Sequence, residues 1–168
     1  MEAIKLKSKT LLLSFFISTF SFGQLKVKDL KIDTTITGFH FAANFQGTNV
    51  FTKHGPTDIQ TINPSAFSFT IATNVTSAMA KSQLNQLLQM SKQNDYKITD
   101  FTEKDTIIKG YNAYYISYTE KDEKNNYQNF VFNAFVIKDN TLILFTGGDL
   151  DNGQYINKFK ETFYSIKL

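Results

Sequence analysis

Two histidines, His40 and His54, together with Asp58, are the residues of this 168-residue chain whose types could build a metal or acid–base centre. Adjacent strands would bring the two imidazoles together, with Asp58 four residues past His54 as the orienting acid. A nucleophile–base pair needs such a third group, and a zinc site needs ligands at template spacings. Neither pattern is present, so His40 reads as part of an alternating strand and His54 as part of a Gly-Pro loop. The chain has no cysteine, which removes thiolate metal sites, cysteine nucleophiles and disulfides together. No phosphate-loop, nucleophile-elbow or His-Glu-x-x-His motif occurs. Gly147-Gly148 stands where a phosphate could meet a helix N-terminus, but Asp149 and Asp151 would repel an anion there. Carboxylate pairs such as Asp122-Glu123 lie in a polar run, Glu120 to Asn126, which lacks the ligand spacing of a calcium loop. The sequence therefore predicts no catalytic residue, no metal ligand and no cofactor.

The tyrosines are the next candidates. All eight lie after residue 95, and Tyr111, Tyr114, Tyr115 and Tyr118 share one segment. A tyrosine joins a large apolar ring to a polar tip, which suits interfaces and equally suits half-buried strands. Tyr111, Tyr114, Tyr115 and Tyr118, with His40 and His54, are the candidate partner-binding residues.

Charge narrows the partner. All 18 basic residues are lysines, against 15 acids, for a net +3. Bidentate recognition of phosphates and bases is the work of arginine, so nucleic acid is not an expected partner.

The first segment has its own logic. Lys5, Lys7 and Lys9 precede an apolar run, Leu11 to Phe20, and then Ser21-Phe22-Gly23. Positive, apolar and small, in that order, describe a secretory signal peptide over residues 1–23. The apolar run is about half of the roughly 20 residues a bilayer span requires. No stable membrane insertion is expected once it is cut, and the protein should be exported, periplasmic or secreted. The Gln at position 24 behind a Phe/Ser/Leu-rich core resembles export signals common in the Bacteroidetes. Without residues 1–23, three lysines and one acid go, leaving 15 against 14, or +1.

Residues 24–37 read as a leader and 38–168 as one α/β domain. Strands are predicted over Gly38–Phe45, Thr48–Lys53 and Ala66–Ala72, with a loop from His54 to Pro64 marked by its breakers. Thr76 or Ser77 caps a helix whose Ala80, Leu84, Leu87 and Leu88 recur at helical spacing. Four strands should follow, over Tyr96–Phe101, Thr106–Thr119, Tyr127–Lys138 and Thr141–Thr146. Their joints are Glu103-Lys104-Asp105, Glu120 to Asn126, and Asp139-Asn140. Gly147-Gly148 should break the last strand, with Asp149 or Asp151 capping a final helix that carries Ile156, Phe159, Phe163 and Ile166. Both faces of the central strands are apolar, where an antiparallel sheet with one wet face alternates with polar residues. Helices on both faces follow: a three-layer α/β/α sandwich around a mainly antiparallel meander sheet.

This order of elements resembles the PsbP/Mog1-like fold. The resemblance rests on AFSFTIA leading into a helix, on Ile107-Ile108-Lys109-Gly110-Tyr111-Asn112-Ala113-Tyr114 with its Gly-x-x-Ala, on the Phe/Val/Ile meander, and on the ending Phe163-Tyr164-Ser165-Ile166-Lys167. It spans residues 38 to 168, and departs from many relatives in having no tryptophan. The resemblance implies binding in place of catalysis. The expected function is a non-enzymatic accessory module for an unidentified envelope or secreted protein. The alternatives are a small-ligand or lipid carrier with a Phe/Tyr-lined pocket, and an unrecognised hydrolase.

Overall fold

The computed structural model describes residues 32–60 and 64–167. The expected signal peptide and most of the leader lie outside the described residues. Seven strands form one sheet: β1 (His40–Phe45), β2 (Thr48–Thr52), β3 (Ala66–Thr73), β4 (Lys97–Ile108), β5 (Tyr111–Asp122), β6 (Tyr127–Lys138) and β7 (Thr141–Asp149). Two α-helices, α1 (Ser77–Gln93) and α2 (Ile156–Ser165), and a 3-10 helix over Gly55–Gln60 complete the description. The strands lie in the order β1-β2-β3-β7-β6-β5-β4, with antiparallel neighbours throughout. The last strand thus sits between the N-terminal hairpin strands and the meander.

Turn chemistry fixes the hairpins. Gln46-Gly47, Lys109-Gly110 and Asp139-Asn140 each have two consecutive positive φ angles, as a two-residue type I′ turn demands. Thr76 caps α1, its side chain accepting the Met79 N–H at 3.2 Å, which satisfies one of the helix's free first-turn donors.

Alternation along β5 and β6 feeds two separate cores. Tyr114, Ile116 and Tyr118, with Val131 and Phe135, pack with Ala80, Leu84 and Leu88 of α1. The residues between them, Ala113, Tyr115, Phe132, Ala134 and Val136, pack with Phe159 and Phe163 of α2. On the α2 side an aromatic row crosses six strands: Phe41, Phe51, Phe67, Phe145, Phe132 and Tyr115, with successive ring centroids 4.9 to 5.9 Å apart. Cross-strand aromatic pairs of this kind stabilise a sheet beyond simple burial.

Three boundaries differ from the sequence expectation. Glu103-Lys104-Asp105 is not a joint but the middle of β4, and the joint is Lys109-Gly110. A strand that pairs on one side only keeps polar side chains in water, so its composition imitates a turn. Gly110 therefore belongs to the turn and not to a central strand; Ala113 is buried in β5. Gly147-Gly148 does not end β7, which runs on to Asp149. These glycines are there for close packing: a Cβ on Gly147 would lie 2.8 Å from Phe159 Cδ2, and one on Gly148 3.1 Å from Asn129 Oδ1. Finally, α2 begins at Ile156 with Tyr155 at its cap position and no side-chain cap. Fully buried Asp149 acts from a distance, accepting the N–H groups of Asp151 at 2.8 Å and Tyr155 at 2.6 Å and the Ser65 hydroxyl at 3.2 Å.

Candidate interaction edge

The two outer strands are β1 and β4, and they are built differently. Around β1 the chain folds back on itself. Thr52 Oγ1 donates to the Gly55 carbonyl at 2.8 Å, and the His54 backbone N–H donates to Asp58 Oδ2 at 2.8 Å. Gly55, at φ +64°, lies so close to β1 that a Cβ would meet the Phe41 carbonyl at 3.2 Å. The 3-10 helix is thereby held against the outer strand.

Among the described residues no such cover lies along β4. Twelve residues long, it pairs with β5 on one side and has no other strand neighbour among the described residues. Thr99 and Thr102 bracket a shift in register, with Asp100 at φ 56°. This bulge divides the strand and leaves Thr102–Ile108 as one straight run up to the Lys109-Gly110 turn. Phe101 and Ile107, at 45% and 66% exposure, flank the charged triplet Glu103-Lys104-Asp105.

Successive side chains of a strand point to opposite faces, so the triplet presents acid to one side and base to the other. Glu103 accepts the Tyr114 hydroxyl at 2.7 Å, and Asp105 pairs with Lys81 of α1 at 2.6 Å. Both acids therefore stand on the α1 side. Lys104 lies opposite Tyr115 in register, on the α2 side. There Lys160 Nζ sits 5.0 Å from the Tyr115 ring centroid and 3.4 Å from its hydroxyl. Lys138 stands 5.5 Å from the Tyr111 ring on the same side, and Lys81 lies 4.6 Å from the Tyr114 ring on the other.

Tyr114, Tyr115 and Tyr118 are buried and Tyr111 is half-buried, so their rings serve the two cores. The charges beside these rings, Glu103, Lys81, Lys138 and Lys160, stand around them. Burial, helped by the Glu103 carboxylate, pushes the Tyr114 hydroxyl well above the ordinary tyrosine range. Tyr118 is raised in the same direction, by burial first and then by the charge of Glu120.

Beyond Tyr118 lies a polar cluster. Buried Glu120 accepts from the Ser91 hydroxyl and from Asn129 Nδ2, the latter at 2.9 Å. These contacts tie the last turn of α1 to β5 and β6. Burial and Glu120 also raise the hydroxyl of Tyr127, whose ring stacks on Tyr96 at 5.4 Å. The cluster joins a helix to two strands, which is a structural task.

His40 and His54 are both exposed, at the same end of the β1–β2 hairpin, since His40 pairs with Thr52. Asp58 accepts the backbone N–H of His54. Among the described residues no group of three or more His, Asp or Glu side chains could hold a metal ion. Nor is any helix among them long and apolar enough to cross a membrane. What sequence reasoning missed is the charged triplet, read as a linker. The signal that could have found it is Lys109-Gly110, a two-residue hairpin turn that leaves residues 97–108 as one strand.

No family model matches the chain, and no curated protein matches it in sequence. Solved structures do. The solution structure of cyanobacterial PsbP (CyanoP) from Synechocystis matches with a TM-score of 0.50 at 15% identity, covering 88% of this chain and 97% of that one. A protein of unknown function from Pseudomonas aeruginosa matches with a TM-score of 0.46 at 15% identity, over 76% of this chain and 86% of its own. The chain has a PsbP-like fold.

Proposed function

We propose that the protein is an exported, non-enzymatic accessory module that binds a protein partner in the cell envelope or outside the cell. Its sheet and two helices serve as a three-layer α/β/α scaffold for that contact. The observation that carries this reading is the β4 edge, a long outer strand with charged and apolar side chains turned to solvent. Export rests on the order of positive, apolar and small residues over positions 1–23. The PsbP-like fold is compatible with an accessory role. A lipid or small-ligand carrier is less favoured, because the aromatic side chains fill the space between sheet and α2 so closely that Gly147 has no room for a Cβ.

Photo-crosslinking in the native host tests the reading. A benzophenone amino acid replaces Ile107 or Phe101 on β4, Ile59 beside β1, or Gln89 on exposed α1. A discrete protein adduct from a β4 position, absent from Gln89, is the expected result. Adducts from none of the four positions would overturn the proposal.

A further inference from the structure

We propose that the free edge of β4, from Thr102 to Ile108, accepts an extended strand of the partner that carries basic residues opposite Glu103 and Asp105 and an acidic residue opposite Lys104. The inference rests on the protein-binding reading above and adds the chemistry of the partner.

The edge offers a row of main-chain donors and acceptors, the usual template for strand addition. The bulge at Asp100 and the turn at Lys109-Gly110 bound it at seven residues. Its side chains set the specificity. On the α1 side stand Glu103 and Asp105, only the second with a lysine partner. On the α2 side stands Lys104, beside Tyr115 and its neighbour Lys160. An added strand alternates in the same way, so it must bring base, acid, base to the three positions. Exposed Phe101 and Ile107 lie at the two ends, where apolar residues of the partner would bury them.

A second copy of this chain is the wrong partner in the registers that bring the two triplets together. Antiparallel pairing about a twofold axis normal to the sheet sets residues of the same face opposite one another. Centred on Lys104, it opposes Lys104 to itself and Glu103 to Asp105 twice. Centred on Glu103 or Asp105, it opposes each acid to itself. Like charges directly opposite destabilise a strand pair. The triplet thus repels its own kind while it remains open to a complementary sequence.

The test uses two dye-labelled β-hairpin peptides, pre-folded so that little ordering entropy is lost on binding. The outer strand of one reads Val-Thr-Lys-Glu-Lys-Thr-Val. The other exchanges the signs, Val-Thr-Glu-Lys-Glu-Thr-Val. Fluorescence anisotropy against the exported protein should show the first binding about tenfold more tightly or better, since three cross-strand pairs change sign together. The preference should shrink at high salt. The double variant Glu103→Lys, Lys104→Glu, which keeps the Lys81–Asp105 pair, should invert it; if the double variant does not fold, Lys104→Glu alone should shrink the preference without inverting it. Equal affinity for the two hairpins, binding of neither, or dimerisation through β4 in sedimentation would overturn the inference. Photo-adducts at Ile59 with no hairpin preference would sink this inference and leave the accessory-module reading standing.

Discussion

At one border of the sheet the chain protects itself, and at the other it leaves the work to charge. β1 is six residues long, carries a bulge between Phe41 and Ala43, and lies under the 3-10 helix. β4 is twice as long, and its guards are one bulge and the alternating triplet Glu103-Lys104-Asp105. Both devices discourage uncontrolled edge pairing, yet they differ in what they permit. A covered border restricts pairing by bulk, whereas a charged border restricts it by sign. The proposed recognition therefore falls to β4.

The largest expected effect comes from the row of rings that reaches from β1 to the meander. Phe67→Ala removes a fully buried ring that touches Phe39, Phe51, Phe145 and Phe159. It should cost about 3–5 kcal/mol, read as a lowered urea midpoint. Smaller and more local is Asp58→Ala. It strips the acceptor from the His54 N–H and should cost about 1–3 kcal/mol, with faster amide exchange concentrated in β1 and β2. If β4 amides exchange faster to the same degree, the two borders are not separate.

Alkali should open the molecule from the other side. Tyr114 and Tyr118 both have hydroxyls raised above the ordinary tyrosine value near 10, and all the tyrosines follow residue 95. Above pH 10 the unfolded chain loses the phenolic proton that the folded chain keeps. Stability is thus intact below pH 10 and falls as pH rises beyond it, by at most about 1.4 kcal/mol per pH unit for Tyr118. Amide exchange between pH 10 and 11 should rise first in β4 and β5, and Tyr118→Phe should flatten the dependence. The smallest effect on stability, within about 0.5 kcal/mol, is expected from replacing Glu103, Lys104 and Asp105 together by threonine. That variant should nevertheless self-associate in sedimentation, because the like-charge barrier is gone; a persistent monomer would show that the bulge alone guards β4.

How far the residues themselves foretold this varies along the chain. The α1 span was legible because Thr76 offers a cap and Ala80, Leu84 and Leu88 repeat at helical spacing. The two-sided greasiness of β5 and β6 was legible too, since Tyr114, Ile116 and Tyr118 interleave with Ala113 and Tyr115. What misled was exposure. In a strand paired on one side only, Glu103, Lys104 and Asp105 answer to water as turn residues do, and periodicity falls silent. The tyrosines misled in the opposite sense, for a residue type equally at home in cores and interfaces carries no address until its neighbours are known. The double glycine at 147–148 imitated a breaker because its reason, a phenylalanine from a helix further along, is not local.

The position of β7 has a consequence for how the molecule is assembled. Ser68 and Thr146, joined at 2.7 Å, are 78 residues apart in sequence. Until β7, Thr141–Asp149, is synthesised, the early strands and the meander remain two unfinished pieces. The keystone follows both pieces in the chain, and closing so long a loop is slow. The early strands thus wait, through the making of α1 and the meander, for the segment that joins the two pieces.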